Sequence, residues 1–166
     1  MDLRTGLGYD VHPLVQGRTL VVGGVLIENS EKLGLEGHSD GDVLTHAFMD
    51  AIIGACGYGS IGEFFPQEPQ WKDSRSIFLL KELCRVLSGK VTIEIFNFDC
   101  IVISDIVKIT QYGQEMKENL SDAVGVLPQK INIKGKSGNG VGSSSSSKSV
   151  EAYVSVLLSI DSSRRE

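Results

Sequence analysis

Three histidines, His12, His38 and His46, are the only imidazoles in the 166-residue chain, and all lie in its first third. Each belongs to a short window that also holds an acid: Asp10-Val11-His12, then His38-Ser39-Asp40-Gly41-Asp42, then His46 with Asp50 four residues on. Imidazole nitrogen and carboxylate oxygen are ligands of four-coordinate zinc, which keeps one position open when it is catalytic. In an extended segment side chains alternate, so Asp10 and His12 point to one side. On a helix, Asp42, His46 and Asp50 follow at i, i+4 and i+8 as one polar stripe. Asp10, His12 and His46 can thus form a two-histidine, one-carboxylate site. The same residues also read as helix-capping acids and solvated histidines, and spacing alone leaves both readings open.

Two glycine-rich stretches are the other candidates. Gly57 to Gln70 is a long connection that serves as either a lid or a linker. Gly135-Lys136-Ser137-Gly138-Asn139-Gly140 follows an expected strand and can offer a nest of N–H groups to a phosphate. It lacks the glycine-to-lysine spacing of a Walker motif. Lys108, taken by itself, reads as an exposed lysine.

The elements that must position these residues follow from periodicity. Leu3 to Tyr9 is apolar and broken by glycine, and Pro13 stops any regular element after His12. Arg18 to Ile27 reads as one β-branched strand bent at Gly23-Gly24, and Glu28 to Gly37 as a polar loop. Asp42 to Cys56 is the clearest helix, with Ser39 or Asp40 as its cap. A second helix opens at Asp73-Ser74, packs Ile77, Leu80, Leu83, Cys84 and Leu87, and stops at Gly89. Val91 to Ile103 is a strand with Ile101-Val102-Ile103 fully buried. Ile109, Tyr112, Met116 and Leu120 mark a third helix, Lys130 to Lys134 a strand, and Val150 to Leu158 a last alternating strand. Between them runs the Gly/Ser-rich stretch Ser137 to Ser149, with serine at every position from Ser143 to Ser147. The tail Ser162 to Glu166 reads as frayed. Strands and helices mix without a strict βαβ repeat, so the expectation is a single α+β domain over residues 1–166, a mixed β-sheet covered by helices.

Composition narrows the function classes. Hydrophobic residues at 41% and charged residues at 22% suit a soluble domain able to bury a core without disulfides or a structural metal. The net charge of −5 gives no general positive field for nucleic acid or an anionic membrane, so neither is expected as a partner. An anionic substrate then needs local cations or backbone N–H groups. Cys56, Cys84 and Cys100 are odd in number and form no Cys-x-x-Cys, which excludes a disulfide framework and a four-cysteine zinc site and points to a reducing compartment. The first residues carry no signal-peptide core, and Ala51 to Cys56 falls far short of the ~20 residues that span a bilayer, so a cytoplasmic location is expected.

Several segments together resemble a known family. Gly8-Tyr9-Asp10-Val11-His12, Gly23-Gly24-Val25 and Gly37-His38-Ser39-Asp40-Gly41-Asp42-Val43-Leu44-Thr45-His46-Ala47 are similar to the 2-C-methyl-D-erythritol 2,4-cyclodiphosphate synthases of the non-mevalonate isoprenoid pathway. Ile61-Gly62-x-Phe64-Phe65-Pro66, Asp73-Ser74 and Ile131-Asn132-Ile133-Lys134 fall in the same order. The resemblance implies a homotrimer of α+β subunits with Bacillus chorismate mutase-like topology, and active sites between neighbouring subunits. It implies zinc, or another divalent metal, on Asp10, His12 and His46. It implies the substrate 4-diphosphocytidyl-2-C-methyl-D-erythritol 2-phosphate, whose 2-phosphate attacks the β-phosphorus and expels CMP. His38 and Ser137 would then be catalytic hydrogen-bonding groups. His38, Ser39 and the Ile61-Gly62 backbone would hold the erythritol, Ser104 to Lys108 would line the cytidine diphosphate site, and Val11, Ser60, Phe65, Lys136, Gly138 and Asn139 would also bind substrate.

The chain also departs from that family. Lys136-Ser137-Gly138-Asn139 stands where Thr-Thr-x-Glu is usual, so Asn139 replaces the glutamate that holds a bridging Mg²⁺. Asn139 offers a neutral oxygen, a poorer ligand for a hard cation. Ser146 stands in place of an arginine, and Ser60 in place of the aspartate before Ile61-Gly62. Two alternatives fit an intact metal end beside an altered phosphate end: a related zinc phosphoryl-transfer enzyme with another leaving nucleotide, and a non-catalytic metal-binding trimer.

Overall fold

The computed structural model describes residues 2–141 and 149–161. Its sheet has five strands in the order β4-β1-β7-β5-β6: β4 (Leu33–Leu35), β1 (Asp2–Gln16), β7 (Ser149–Asp161), β5 (Thr92–Ile103) and β6 (Ile131–Lys136). All neighbours are antiparallel except β5 and β6, so the sheet is mixed and the α+β expectation holds. Helices α1 (Val43–Cys56), α3 (Ser76–Ser88) and α4 (Gly113–Val124) supply the helical layer, and α1 lies on β1 and β7. The core between them joins Phe48, Ile52, Leu80 and Leu83 of the helices to Phe98, Val154 and Leu158 of the sheet.

The glycines and Pro13 do not break β1. Gly6 and Gly8 face α1, and a Cβ on Gly8 would stand 1.8 Å from the Ala47 carbonyl oxygen. They are the thin points that let helix and strand touch. Pro13 sits where β1 exchanges partners, pairing β7 up to Pro13 and β4 from Leu14. Its carbonyl accepts the Glu36 N–H on the β4 side. N and C=O of one strand residue face the same edge, so the missing N–H costs the β7 ladder nothing.

Other local expectations shift in detail. Arg18 to Ile27 is a hairpin, β2 (Val21–Val22) and β3 (Val25–Leu26), because Gly23 and Gly24 both take positive φ and turn the chain back. The 28–37 loop contains β4, and the 57–70 connection contains the short helix α2 (Ile61–Phe64). The second helix begins at Ser76 rather than Asp73, and the third at Gly113, after a single 3₁₀ turn at Ile109–Gln111. Val102 is buried, whereas Ile101 and Ile103 on the opposite face are half-buried. The run Ser143 to Ser147 and the tail Ser162 to Glu166 lie outside the described residues.

The α1 cap is Asp42, not Ser39 or Asp40. Asp42 is fully buried and receives four hydrogen bonds, from the N–H groups of Gly23, Gly24 and Thr45 and from the Thr45 hydroxyl. It ties the β2–β3 turn to the helix start, and so leaves the polar stripe to His46 and Asp50.

Candidate functional site

β1 and α1 build the centre together. Strand alternation turns Gly6, Gly8, Asp10 and His12 toward α1, and the two glycines bring the helix close enough for His46 to reach Asp10. One Asp10 carboxylate oxygen lies 2.9 Å from His46 Nδ1 and 3.1 Å from His12 Nε2. Ligand atoms of all three residues fall within 4.8 Å of one another. Two ligands that share a zinc at ~2.1 Å each stand about 3.4 Å apart at a tetrahedral angle, so the donor set fits one divalent ion with little rearrangement. Spacing had left metal ligation and solvated histidines both open; the three side chains converge instead of dispersing.

Each imidazole is steered through its other nitrogen. His12 Nδ1 donates to the Glu36 carbonyl oxygen, which leaves Nε2 toward Asp10. His46 Nε2 lies 2.8 Å from the Ser76 hydroxyl and 3.1 Å from that of Ser39. Burial pushes the Asp10 carboxyl up, but the hydrogen bonds with His12 and His46 outweigh it and hold the group well below the usual carboxylate range. Burial disfavours charge on His12 as well, yet the Asp10 carboxylate prevails and raises its pKa. The site is therefore an anion clasped between imidazoles.

A pocket of about 490 Å³ opens over this centre, lined by Asp10, His12, His46, His38, Ser39, Asp50, Ile61, Gly62, Phe65 and Trp71 among others. His38 Nε2 lies 3.1 Å from the Glu68 carbonyl oxygen, so its ring is held against the 66–71 turn. Ser60, one residue before α2, is exposed. The Val11 side chain projects to the other face of the sheet, so only its backbone belongs to the centre.

Ser104, Lys108, Lys136, Ser137, Gly138 and Asn139 do not line this pocket. They gather at the carboxyl ends of the parallel pair β5–β6, where the Ser104 N–H binds the Lys136 carbonyl and the Gly138 N–H binds the Asp105 carboxylate. The register Val11↔Glu151↔Ile103↔Lys136 puts two strand spacings, about 10 Å, between Val11 and the β5 end that leads to Ser104, and three, about 14 Å, between Val11 and Lys136. Lys108 and Lys136 are exposed, the Ser104 hydroxyl is buried without a hydrogen-bond partner, and the Ser137 hydroxyl donates to Asn139 Oδ1.

Several supporting roles are not legible in the sequence. Arg18 donates to the carbonyls of Leu35, Gly37 and Ser39 and so shapes the segment that carries His38. Asp50, half-buried and raised in pKa by that burial, accepts the Ile61 N–H at 2.7 Å and anchors α2 beside the pocket. Asp40 and Ser76 lie behind His46. Only Asp40 and Asp50 had a local signal, as acids beside the histidine windows; Arg18 and Ser76 act across the fold.

The YgbB family model matches residues 3–159. The 2-C-methyl-D-erythritol 2,4-cyclodiphosphate synthase of Petrotoga mobilis is 40% identical over 159 residues, covering 96% of this chain and 98% of its own. That of Caldicellulosiruptor bescii is 44% identical over 156 residues, covering 93% and 98%. A solved 2C-methyl-D-erythritol-2,4-cyclodiphosphate synthase in a CDP-bound form superposes with a TM-score of 0.83 at 30% identity, covering 94% of this chain and 100% of its own.

Proposed function

The chain belongs to the YgbB family, and from that premise we infer how its own residues perform the reaction. Its function is that of a 2-C-methyl-D-erythritol 2,4-cyclodiphosphate synthase. The 2-phosphate oxygen of 4-diphosphocytidyl-2-C-methyl-D-erythritol 2-phosphate forms a bond to the β-phosphorus, the bond from that phosphorus to the CMP oxygen breaks, and CMP leaves with the electron pair. The observation that supports placing this chemistry on particular residues is the convergence of Asp10, His12 and His46 in one pocket with His38 and Ser39.

Asp10, His12 and His46 would hold zinc, which supplies Lewis-acid polarisation of a phosphoryl oxygen. His38 and Ser39 project into the same space and provide hydrogen bonds to the phosphates and the erythritol hydroxyls. Phe65 and Ile61 form the apolar wall that limits water there. The Ile61 N–H is already taken by Asp50, so that backbone is rigid before substrate arrives. The β5–β6 group serves the nucleotide end, with Lys108 and Lys136 as phosphate partners and Ser137 as a hydroxyl donor.

One chain holds these two ends about 10–14 Å apart across the sheet, and the β5–β6 group does not line the pocket over Asp10, His12 and His46. We propose that a neighbouring copy brings them together in a homotrimer with Bacillus chorismate mutase-like subunits. The bare face of the sheet supports this: Leu3, Leu7, Tyr9, Val11 and Tyr153 are exposed there, with Tyr9 and Tyr153 rings 4.7 Å apart. An uncovered apolar face of this kind marks an interface. The three free cysteines fit a reducing cytoplasm, and no helix among the described residues is long and apolar enough to cross a membrane.

Substrate turnover with detection of CMP and the cyclic diphosphate tests the reaction. Mixing tests the shared site. His46→Ala lacks the metal end and Lys108→Glu the nucleotide end, so each variant alone is nearly inactive. Random reassembly of a 1:1 mixture makes about one site in four whole, and about a quarter of native turnover returns. No recovery after verified mixing would place both ends of the site within one subunit.

A further inference from the structure

Resting on the reading of Asp10, His12 and His46 as a metal centre, we propose that Ser76 and Asp40 form a positioning relay that decides which nitrogen of His46 meets the metal. Ser76 is the first residue of α3 and is fully buried. Its backbone N–H reaches Asp40 Oδ2 at 3.0 Å, and its hydroxyl reaches Asp40 Oδ1. The Asp42 N–H also points at Asp40 Oδ1. An ionised carboxylate only accepts, so the single Ser76 O–H proton is committed to Asp40. The Ser76 oxygen then has only lone pairs left for His46 Nε2, 2.8 Å away.

With the Ser76 proton committed to Asp40, the Ser76 oxygen takes a proton from His46 Nε2. In the metal-free site Nδ1 donates to the Asp10 carboxylate, 2.9 Å away; a bound ion would displace that proton, and the proton held on Nε2 would then keep the Nδ1 lone pair aimed at the ion. The opposite tautomer would set a lone pair against the Ser76 oxygen and an N–H against the metal position. Ser39 adds a second hydroxyl 3.1 Å from the same nitrogen and 3.4 Å from the Ser76 hydroxyl. The relay also links elements far apart in sequence: Asp40 precedes α1, Ser76 opens α3, and His46 projects from α1. A ligating histidine is commonly oriented through its other nitrogen, and removing such a partner typically costs 10–100-fold in metal affinity.

Two measurements test the relay. The first is the ¹⁵N spectrum of the native protein's histidine rings, without metal and with zinc. The expected result is zinc on His46 Nδ1 with the proton on Nε2. Zinc on Nε2 overturns the relay while leaving the metal centre intact. No zinc-dependent change at either His12 or His46 overturns the metal centre itself, and the relay with it. The second is zinc affinity by chelator competition for Asp40→Asn and Ser76→Ala. The Asn amide can donate to the Ser76 oxygen, which frees the hydroxyl to turn its proton on His46 and favour the wrong tautomer. Both variants should lose 10–100-fold in affinity while their metal-free urea midpoints show them folded. Affinities within twofold of native overturn the proposal. Should either variant fail to fold, the native ¹⁵N spectrum decides alone.

Discussion

Gly8→Ala is a one-methyl test of how β1 and α1 build the site. The new Cβ would lie 1.8 Å from the Ala47 carbonyl oxygen and 2.9 Å from the Ala51 nitrogen, both of them helix backbone. Ordinary contact begins near 3.4 Å, so α1 must withdraw from β1 by about 1.6 Å. That displacement is more than half of the present 2.9 Å between His46 Nδ1 and Asp10. Asp10 is two residues from the substituted glycine, and His46 adjoins Ala47, so the shift acts on the ligand pair with little chain in between to absorb it. Overpacking of this kind costs about 1–3 kcal/mol. The sharper expectation is a fall in zinc affinity larger than the fall in stability would explain. Gly54→Ala is the control, since that glycine is on the same helix with nothing within 4 Å of its added Cβ. It should gain up to about 1 kcal/mol from helix propensity and leave zinc binding unchanged. Urea unfolding of the metal-free proteins and chelator competition read both quantities. A Gly8→Ala protein that binds zinc like the native one would refute the claim that glycine thinness sets the ligand geometry.

Two further outcomes follow from the charges in the site. The raised pKa of His12 gives the metal-free protein a stabilisation that is complete below the ordinary imidazole value of ~6.5 and is lost as pH rises through the higher folded value. Asp10 has the opposite sign: its contribution is present above ~3.9 and is lost as pH falls through its depressed folded value. Urea midpoints of metal-free protein should thus decline from pH 6 toward pH 9, while zinc affinity rises over the same interval because the ion displaces the His12 proton; a flat midpoint in native protein against a decline in His12→Gln would contradict this. At the other end of the site, Asn139 Oδ1 already accepts the Ser137 hydroxyl, and Lys136 is exposed at the same turn. Lys136 should therefore supply part of the positive charge that a bridging Mg²⁺ gives, so turnover with zinc held constant should vary little with free Mg²⁺ and drop in Lys136→Ala. Strict Mg²⁺ dependence of the native enzyme, or an unimpaired Lys136→Ala, would remove Lys136 from that role.

What could be read from the sequence depended on how far each feature's cause lay along the chain. Two-residue and four-residue periods put Asp10 with His12 and His46 with Asp50, and the helices at Asp42 and Ile77 follow from local apolar spacing. Features with a cause in another segment were misread. Pro13 looks like a stop because its missing N–H is a local fact, whereas the edge to which that N–H would point is a property of the sheet. Gly6 and Gly8 look like breaks because the helix that needs them thin begins at Val43. Asp42 looks like part of a polar stripe because the Gly23-Gly24 turn that buries it lies about twenty residues earlier.

The same distinction explains why the ligands were legible and their supports were not. A metal ligand must offer an imidazole, a thiolate or a carboxylate, and three histidines in one third of a chain are conspicuous. A support need only offer the right polar atom at the right place. Glu36 steers His12 with a backbone carbonyl that any residue would provide. Ser76 is one of many serines and is singled out only because α3 starts where it can touch both His46 and Asp40. Arg18 holds the His38 segment through three carbonyls, a role its own neighbours in sequence do not suggest. Side-chain chemistry thus identifies the atoms that could hold an ion, while the fold alone identifies the atoms that aim them. It follows that substitutions which preserve every ligand can still empty the site, and that Ser76, Arg18 and Gly8 are where such losses should concentrate.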